Sequence, residues 1–390
     1  MKEKVEEERE TNEQLSKCMQ QVCDATKTDT TFEPDYAYLW VIVERRLTDS
    51  LATPKFGEDP TTLQRAALES LRGMSTESGA YTLSMKNEAA DAGVIAPLVA
   101  ILRNGASDAV RAAAADRLAA LVALHHVRNQ DVAAAAGAVT TLGALVEKSA
   151  RSATRTAAAT CLARLVRDHP PSMEAARDGG IIESVVSMLR SSRHEDETEA
   201  ALEAVAWLAK GNRVNQTAFV KAGVLSIVAA GLMGSPTHRQ SAAWVVATAV
   251  ERNTRNQVIA GEGELVTQLI GVLSASAPAR TLQLALKALM EIVRGNEANC
   301  TAAVRCGAVT ALRAILRRQR TRAQAPSRLQ VAAKDLLLEM GVDVDYEAQM
   351  TVYRSRHFGA VLLVLVAVLC AMVDPGKWRE VSGFMARLPS

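Results

Sequence analysis

The chain has 390 residues, a formal net charge of +2 and few aromatic residues, which make up 4% of the total. The near balance of charge excludes the chain-wide positive field that attracts nucleic acid. Abundant alanine and scarce aromatics argue against a β-rich fold. The six cysteines show no Cys-x-x-Cys spacing, which favours free buried thiols in a reducing cytosol over a disulfide framework.

The first 76 residues precede the repetitive part of the chain. Residues 1–33 hold an excess of acidic side chains and are predicted to be an acidic helical or disordered arm. Residues 34–76 are predicted to be capping helices, because residues 35–51 are amphipathic and lie between Pro34 and Pro54. A terminal cap of this kind covers the open end of a helical stack.

One ten-residue phrase organises residues 77–341. It is clearest from Gly93 to Leu102, where a glycine is followed by closely spaced aliphatic residues. The heads of the six phrases are Gly93, Gly137, Gly180, Gly223, Glu264 and Gly307, in steps of 44, 43, 43, 41 and 43 residues. A fixed period in this range predicts a helical solenoid, whose units bury their apolar faces only by stacking on each other.

Each unit is predicted to contain three helices: a short one, the phrase itself, and a longer third helix after a break rich in Ser, Gly, Pro and Asp. The third helices are expected at residues 108–124, 151–167, 195–210, 237–252, 279–294 and 326–340. Asn-x-x-Asn turns begin at Asn212, Asn253 and Asn296, where an Asn side chain is expected to cap the next helix.

The three-helix unit, the period, the Ala-Gly-aliphatic head and the Gly-Asn-x-x-Asn turn together resemble the armadillo repeat family over roughly residues 60–341. The resemblance implies an all-α, right-handed superhelical solenoid of about six three-helix repeats. It also implies a concave groove lined by the third helices, where a Trp and, four residues later, an Asn hold an extended peptide.

Carried over unit by unit, the Trp and Asn pattern of the family is almost absent. The Trp place is held by Glu69, Asp116, Thr160, Glu203, Trp244, Lys287 and Lys334, and the Asn place by Gly73, Ala120, Arg164, Trp207, Thr248, Glu291 and Leu338. Only Trp244 matches. The missing Asn ladder counts against a nuclear-import cargo receptor.

The candidate binding residues are Arg164, Glu203, Trp207, Trp244 and Thr248, on the face that the resemblance makes concave. Trp207 and Trp244 lie in adjacent units, and exposed Trp and Arg are the residue types that most often anchor interfaces. The alternative is that both indoles pack between neighbouring third helices as core.

Chemistry beyond binding has little support in the sequence. No His-x-x-x-His or His/Cys spacing indicates a metal site, and no phosphate-cradling or Gly-x-Ser-x-Gly motif indicates an enzyme. We therefore expect no catalytic activity, cofactor, metal or small-molecule substrate.

After a linker at residues 342–357, the sixteen residues 358–373 carry no charge and are apolar all round. This pattern predicts a transmembrane helix, followed by a short tail at residues 374–390, that anchors the chain with its repeats in the cytosol. The short span and basic flanks suit the endoplasmic reticulum or the mitochondrial outer membrane. The alternative is an apolar helix buried on the last unit.

A basic cluster precedes this segment, with Arg317, Arg318, Arg320 and Arg322 and no acidic residue between them. It is predicted to contact anionic lipid head groups, or else to be a solvated loop. Nucleic-acid binding is not expected, because no aromatic residues interleave with the arginines.

Together these observations predict a membrane-tethered scaffold that binds a partner protein or extended peptide on its concave face. The alternative is a soluble armadillo-type chaperone cofactor or ubiquitin-ligase adaptor with the apolar C-terminal helix buried.

Overall fold

The structure is a computed structural model that describes residues 86–87, 90–91, 93–105, 107–317 and 327–342. The predicted arm, capping helices, linker, membrane helix and tail lie outside these residues, and so do Arg318, Arg320 and Arg322. Those assignments therefore stay predictions.

The described residues form seventeen α-helices, and they contain no β-strand. In chain order they are α1 Ile95–Asn104, α2 Asp108–Val122, α3 Val127–Ala135, α4 Ala138–Lys148, α5 Ser152–Val166, α6 Pro170–Asp178, α7 Ile181–Ser191, α8 Glu195–Ala209, α9 Arg213–Lys221, α10 Val224–Gly231, α11 Pro236–Ala249, α12 Thr254–Glu262, α13 Leu265–Ser274, α14 Ala279–Val293, α15 Glu297–Arg305, α16 Ala308–Arg317 and α17 Arg328–Glu339. They form five complete three-helix units after the incomplete pair α1–α2, which confirms the predicted helical solenoid.

The long third helices pack on one another in sequence order, from α2 through α5, α8, α11 and α14 to α17. The second helices form a parallel layer beside them. Alanines such as Ala158, Ala159, Ala201 and Ala243 are fully buried on the third helices, so neighbouring helices can approach closely. One continuous apolar core therefore runs the length of the stack.

The glycine heads let a short first helix turn directly into the second. Gly137 and Gly223 have φ values of +82° and +85°, a left-handed conformation that strains residues with a Cβ atom. The turn before α13 differs, because Gly263 is extended and Glu264 is the N-cap. The 41-residue step that reaches Glu264 therefore coincides with a different turn.

The Asn-x-x-Asn turns cap the first helices as predicted. Asn212 accepts a hydrogen bond from the backbone N–H of Asn215 at 3.1 Å, and Asn296 does the same for Asn299 at 3.0 Å. Asn253 caps α12 in the same way. The second Asn of each turn is buried and binds the end of the preceding third helix: the Nδ2 of Asn215 donates to the carbonyl oxygen of Leu208 at 3.0 Å. These side chains satisfy carbonyl groups that a helix end leaves unpaired.

No single helix in the described ranges combines the length and the apolar character needed to cross a membrane. Only α9 and α10 taken together, with a bend of 78° between them, reach that length and composition.

Candidate functional site

The two tryptophans singled out from the sequence touch each other. Trp207 on α8 and Trp244 on α11 have ring centroids 5.1 Å apart and ring planes at 88°, an edge-to-face contact. Both side chains are half-buried and pack against the hydrophobic core. Each indole therefore has a core-facing part and an exposed part, so the alternatives of groove and core both apply to this pair.

Two cations lie against the Trp207 ring. The guanidinium carbon of Arg167 is 4.5 Å from the ring centroid and the Nζ of Lys210 is 4.6 Å from it. These distances are within the range of cation–π attraction. Arg167 is the C-cap residue of α5 and Lys210 that of α8, so helix ends in two consecutive units converge on one indole.

A buried glutamine fixes the end of α5 that carries Arg167. The Nε2 of Gln130, on α3, is within 3.1 Å of the carbonyl oxygens of Arg164 and Leu165 and 3.0 Å from that of Arg167. The unit two places further along makes the same kind of contact, since Gln216 on α9 donates to the carbonyl oxygen of Thr248 on α11 at 2.9 Å. The helix ends that carry the candidate site are thus held by the core of the solenoid.

Arg164 is half-buried and faces Lys86. The Nζ of Lys86 donates to the carbonyl oxygen of Ala123 at 2.6 Å. Burial lowers the pKa of Lys86, and the charge of Arg164 lowers it further. Arg164 precedes Arg167 by three residues, so it adds positive charge near the end of α5 from which Arg167 reaches the Trp207 ring. We call Arg164, Arg167 and Lys210 the cationic cluster.

Glu203 lies on the other side of the indole pair, in a pocket of 220 Å³ that we call the Trp244 pocket. Its lining residues are Glu199, Glu203, Gln240, Ser241, Trp244, Arg280 and Leu284. Ser241 donates a hydrogen bond to Oε1 of Glu199, while Oε2 of Glu199 is buried without a hydrogen-bond partner among the described residues.

Thr248 is a correction to the predicted site. Its side chain is 1% exposed, and its hydroxyl donates within its own helix, to the carbonyl oxygens of Trp244 at 3.1 Å and Val245 at 3.0 Å. A short hydroxyl side chain at this position reaches only the core, so Thr248 presents no surface to a ligand.

Three residues of this site, namely Arg167, Lys210 and Glu199, were not identified from the sequence. Arg167 and Lys210 follow Arg164 and Trp207 by three residues, and Glu199 precedes Glu203 by four, so all three share a helix face with a predicted site residue. That spacing is the signal that could have found them.

Of the predicted lipid-contacting arginines, only Arg317 lies in the described part of the chain, at the end of α16, where it already has an interaction partner. No described residue contradicts or supports its proposed lipid contact.

A second, larger pocket of 310 Å³ lies beside the first turn of α8. Its wall includes Glu197, which is buried and bound by Arg155 at 2.5 Å and by the Ser152 hydroxyl at 2.7 Å. Burial raises the pKa of Glu197, but these hydrogen bonds outweigh it and leave the pKa below its ordinary value. The carboxylate is thus already satisfied, and we assign this pocket no ligand.

The described residues contain no group of three or more His, Cys, Asp or Glu side chains that could hold a metal. Three described cysteines are free: Cys161 is buried, Cys300 is half-buried and Cys306 is exposed. Burial raises the pKa of the Cys161 thiol, as expected for an unreactive core cysteine. The prediction of buried thiols is right for Cys161 and wrong for Cys306.

Comparison with known proteins gives structural neighbours and no sequence relatives. No protein-family model and no curated protein matches the sequence. A crystal structure of an engineered protein superposes with a TM-score of 0.66 at 23% identity, covering 77% of this chain and 68% of that chain. A designed armadillo repeat protein superposes with a TM-score of 0.56 at 19% identity, covering 63% of this chain and 99% of that one.

A further neighbour is a designed armadillo repeat protein in complex with the peptide (KR)4, with a TM-score of 0.54 at 22% identity. It covers 64% of this chain and 98% of that chain. Likeness at these identities shows the fold alone. The described part of the chain is therefore an armadillo-like repeat solenoid.

Proposed function

We propose that this protein is a scaffold that binds an extended segment of a partner protein across its third helices, between α5 and α14. The observation that carries the proposal is the Trp207–Trp244 pair, which is partly exposed and held by the core. Large aromatic side chains that are already ordered lose little conformational entropy on binding, so they anchor interfaces well. The designed armadillo neighbour that binds a peptide agrees with this use of the fold.

The surroundings of the pair also favour a peptide over a small molecule. The Trp244 pocket measures 220 Å³, which is below the usual range for small-molecule sites of about 300–1,000 Å³. It opens beside a charged helix face and has the size of a site for one side chain. A chain that runs along the third helices could place one residue there while its backbone continues past the indoles.

Site-specific photocrosslinking in cells tests this proposal. A photoreactive amino acid replaces Gln240, which lines the Trp244 pocket. In a matched control it replaces Arg255, which is exposed on α12, the first helix of its unit. We expect a discrete partner to crosslink at position 240 and not at position 255. Crosslinks of equal yield from both positions, or from position 255 alone, would contradict a third-helix binding face.

We also propose that residues 358–373 tether this scaffold to the endoplasmic reticulum or the mitochondrial outer membrane. The support is the uncharged sequence of that segment, which lies outside the described residues. Membrane fractionation compares the full chain with a chain that ends at Asp345. The full chain should pellet with membranes and the shorter chain should not. A full chain that stays in the supernatant would favour the soluble adaptor instead.

A further inference from the structure

We propose that the bound segment carries two charges of opposite sign about three residues apart. An acidic side chain binds the cationic cluster, and a Lys or Arg side chain enters the Trp244 pocket. This inference rests on the proposed function and specifies the chemistry of its ligand.

The cationic cluster has more positive charge than its neighbours neutralise. Lys210 is paired with Asp168 at 2.7 Å, but Arg164 and Arg167 have no carboxylate partner within the described residues. The Nε of Arg167 is buried without a hydrogen-bond acceptor in the same part of the chain. Because the Trp207 ring holds Arg167 and Lys210 in place, their charges are pre-ordered for an anion. The cluster therefore suits a carboxylate.

The next two units show that this surplus is local. At the corresponding ends of α11 and α14, Lys287 binds Glu251 at 3.2 Å and Arg294 binds Glu291 at 2.8 Å. Cations there already have carboxylates beside them. An acidic ligand group is thus attracted most strongly at the cationic cluster on α5 and α8, and only weakly farther along the stack.

The Trp244 pocket has the opposite character. Glu199 and Glu203 line it, and the unpartnered Oε2 of Glu199 is a buried acceptor that a ligand cation can satisfy. The Trp244 indole supplies an aromatic surface for the aliphatic part and the charge of a Lys or Arg side chain. Arg280, exposed on the far wall, is the one cation lining this pocket and opposes the bound charge.

The indole contact joins the two sites into one path. Trp207 lies against the cationic cluster, Trp244 lines the pocket, and their centroids are 5.1 Å apart. Adjacent packed helices lie about 8–10 Å apart. An extended segment advances roughly 3.3 Å per residue, so it covers the distance between neighbouring units in about three residues. Two of its side chains about three residues apart can therefore reach the two sites.

An array of synthetic octapeptides tests the inference with the full-length protein. Each peptide carries one Glu and one Lys in an otherwise uncharged sequence, in either order and at every spacing from adjacent to six residues. Uncharged, all-Glu and all-Lys peptides complete the array. We expect mixed-charge peptides at spacings of about two to four residues to bind roughly tenfold more tightly than the rest.

Charge variants of the protein assign each preference to its site. Arg167→Glu should abolish the preference for Glu and keep that for Lys, while Glu203→Gln should do the reverse. Arg280→Ala should strengthen binding of the Lys-containing peptides. Arg255→Glu, an exposed charge reversal on α12, is the matched control and should leave both preferences unchanged.

Three results would overturn the inference: all-Lys peptides that bind as well as mixed ones, an Arg167→Glu effect equal for every peptide, or no peptide above the uncharged control. The proposed function fails by a different result, the loss of crosslinking specificity at position 240. The two conclusions can therefore fail separately.

Discussion

Gly261 on α12 lies where the first helices of two units meet. A Cβ atom at this position would be 1.9 Å from Oδ1 and 2.4 Å from Cγ of Asn299 on α15. The Asn299 side chain is held by two hydrogen bonds from Nδ2, to the carbonyl oxygens of Gln257 at 2.9 Å and Ile292 at 2.8 Å. It cannot move aside without breaking them. Gly261→Ala should therefore separate these two units.

The size of the effect follows from these contacts. Each buried carbonyl group left unpaired costs about 1–3 kcal/mol. Replacing Gly by Ala within a helix returns up to about 1 kcal/mol. With both carbonyl groups unpaired, Gly261→Ala should thus lower the free energy of unfolding by about 1–5 kcal/mol. Gly271 on α13 is the matched control, because a Cβ atom there meets nothing within 4 Å. Gly271→Ala should raise stability by about 0.5–1 kcal/mol.

Urea denaturation of both variants, followed by circular dichroism, measures the difference. Because repeat arrays do not always unfold in one step, amide hydrogen exchange in α12 and α15 should accompany it. Faster exchange is expected there for Gly261→Ala only. A Gly261→Ala variant as stable as Gly271→Ala would refute the packing described for these helices.

Three further predictions concern a turn glycine, a helix cap and a buried ion pair. Gly211 has a φ of +68° and open space around it, so the only cost of a Cβ atom there is backbone strain. In urea denaturation, Gly211→Ala should lower the free energy of unfolding by about 1–2 kcal/mol. Gly263 has a φ of −104°, so Gly263→Ala should be nearly neutral. His126 caps α3 by accepting a hydrogen bond from the backbone N–H of Asn129. Burial and the charge of Lys86 lower the pKa of His126, so the folded protein favours the neutral imidazole. The stability should therefore be full above about pH 6.5 and fall as the pH drops below it, which thermal melts across that range measure. His126→Asn, which keeps a capping acceptor, should remove this loss, and an unchanged profile would contradict the assignment. The lowered pKa of Glu197 predicts a separate loss of stability below about pH 4.5, absent in Glu197→Gln.

The helical units could be predicted because the signals that start and end them are local. The third helix expected at residues 108–124 is observed at Asp108–Val122, with Ser107 as its N-cap. Ser235 and Pro236 start α11 in the same way. A period of about 43 residues then places each helix beside its counterpart in the next unit, since a solenoid has only neighbour contacts.

The side chains of the site were harder to predict, because the surface of a helix position depends on the length and partners of the residue. Arg164 and Trp207 occupy the same register and are half-buried, whereas Thr248 and Glu291 at that register are buried. Thr248 is too short to reach past the core. The carboxylate of Glu291 accepts hydrogen bonds from the backbone N–H of Arg252 and from the Arg294 side chain, which keep it buried.

The cations around Trp207 depend on contacts between units, which no local pattern specifies. Arg167 comes from the unit before Trp207, 40 residues earlier in the chain, and reaches the ring because α5 packs on α8. The spacing of three residues places Arg167 on the face of Arg164 but does not say that the guanidinium stacks on an indole. Only the packing of the two helices shows it.

If Trp207 and Trp244 anchor a partner segment, the affinity of this protein for that segment should depend on both indoles. The segment crosslinked at position 240 is made as a synthetic peptide and titrated against the wild type, Trp207→Ala and Trp244→Ala, below the melting temperature of each variant. Loss of an interface anchor costs at least about 2 kcal/mol, so we expect affinity to fall roughly 30-fold or more in each variant while the helical circular dichroism is retained. Unchanged affinity in both folded variants would contradict the claim.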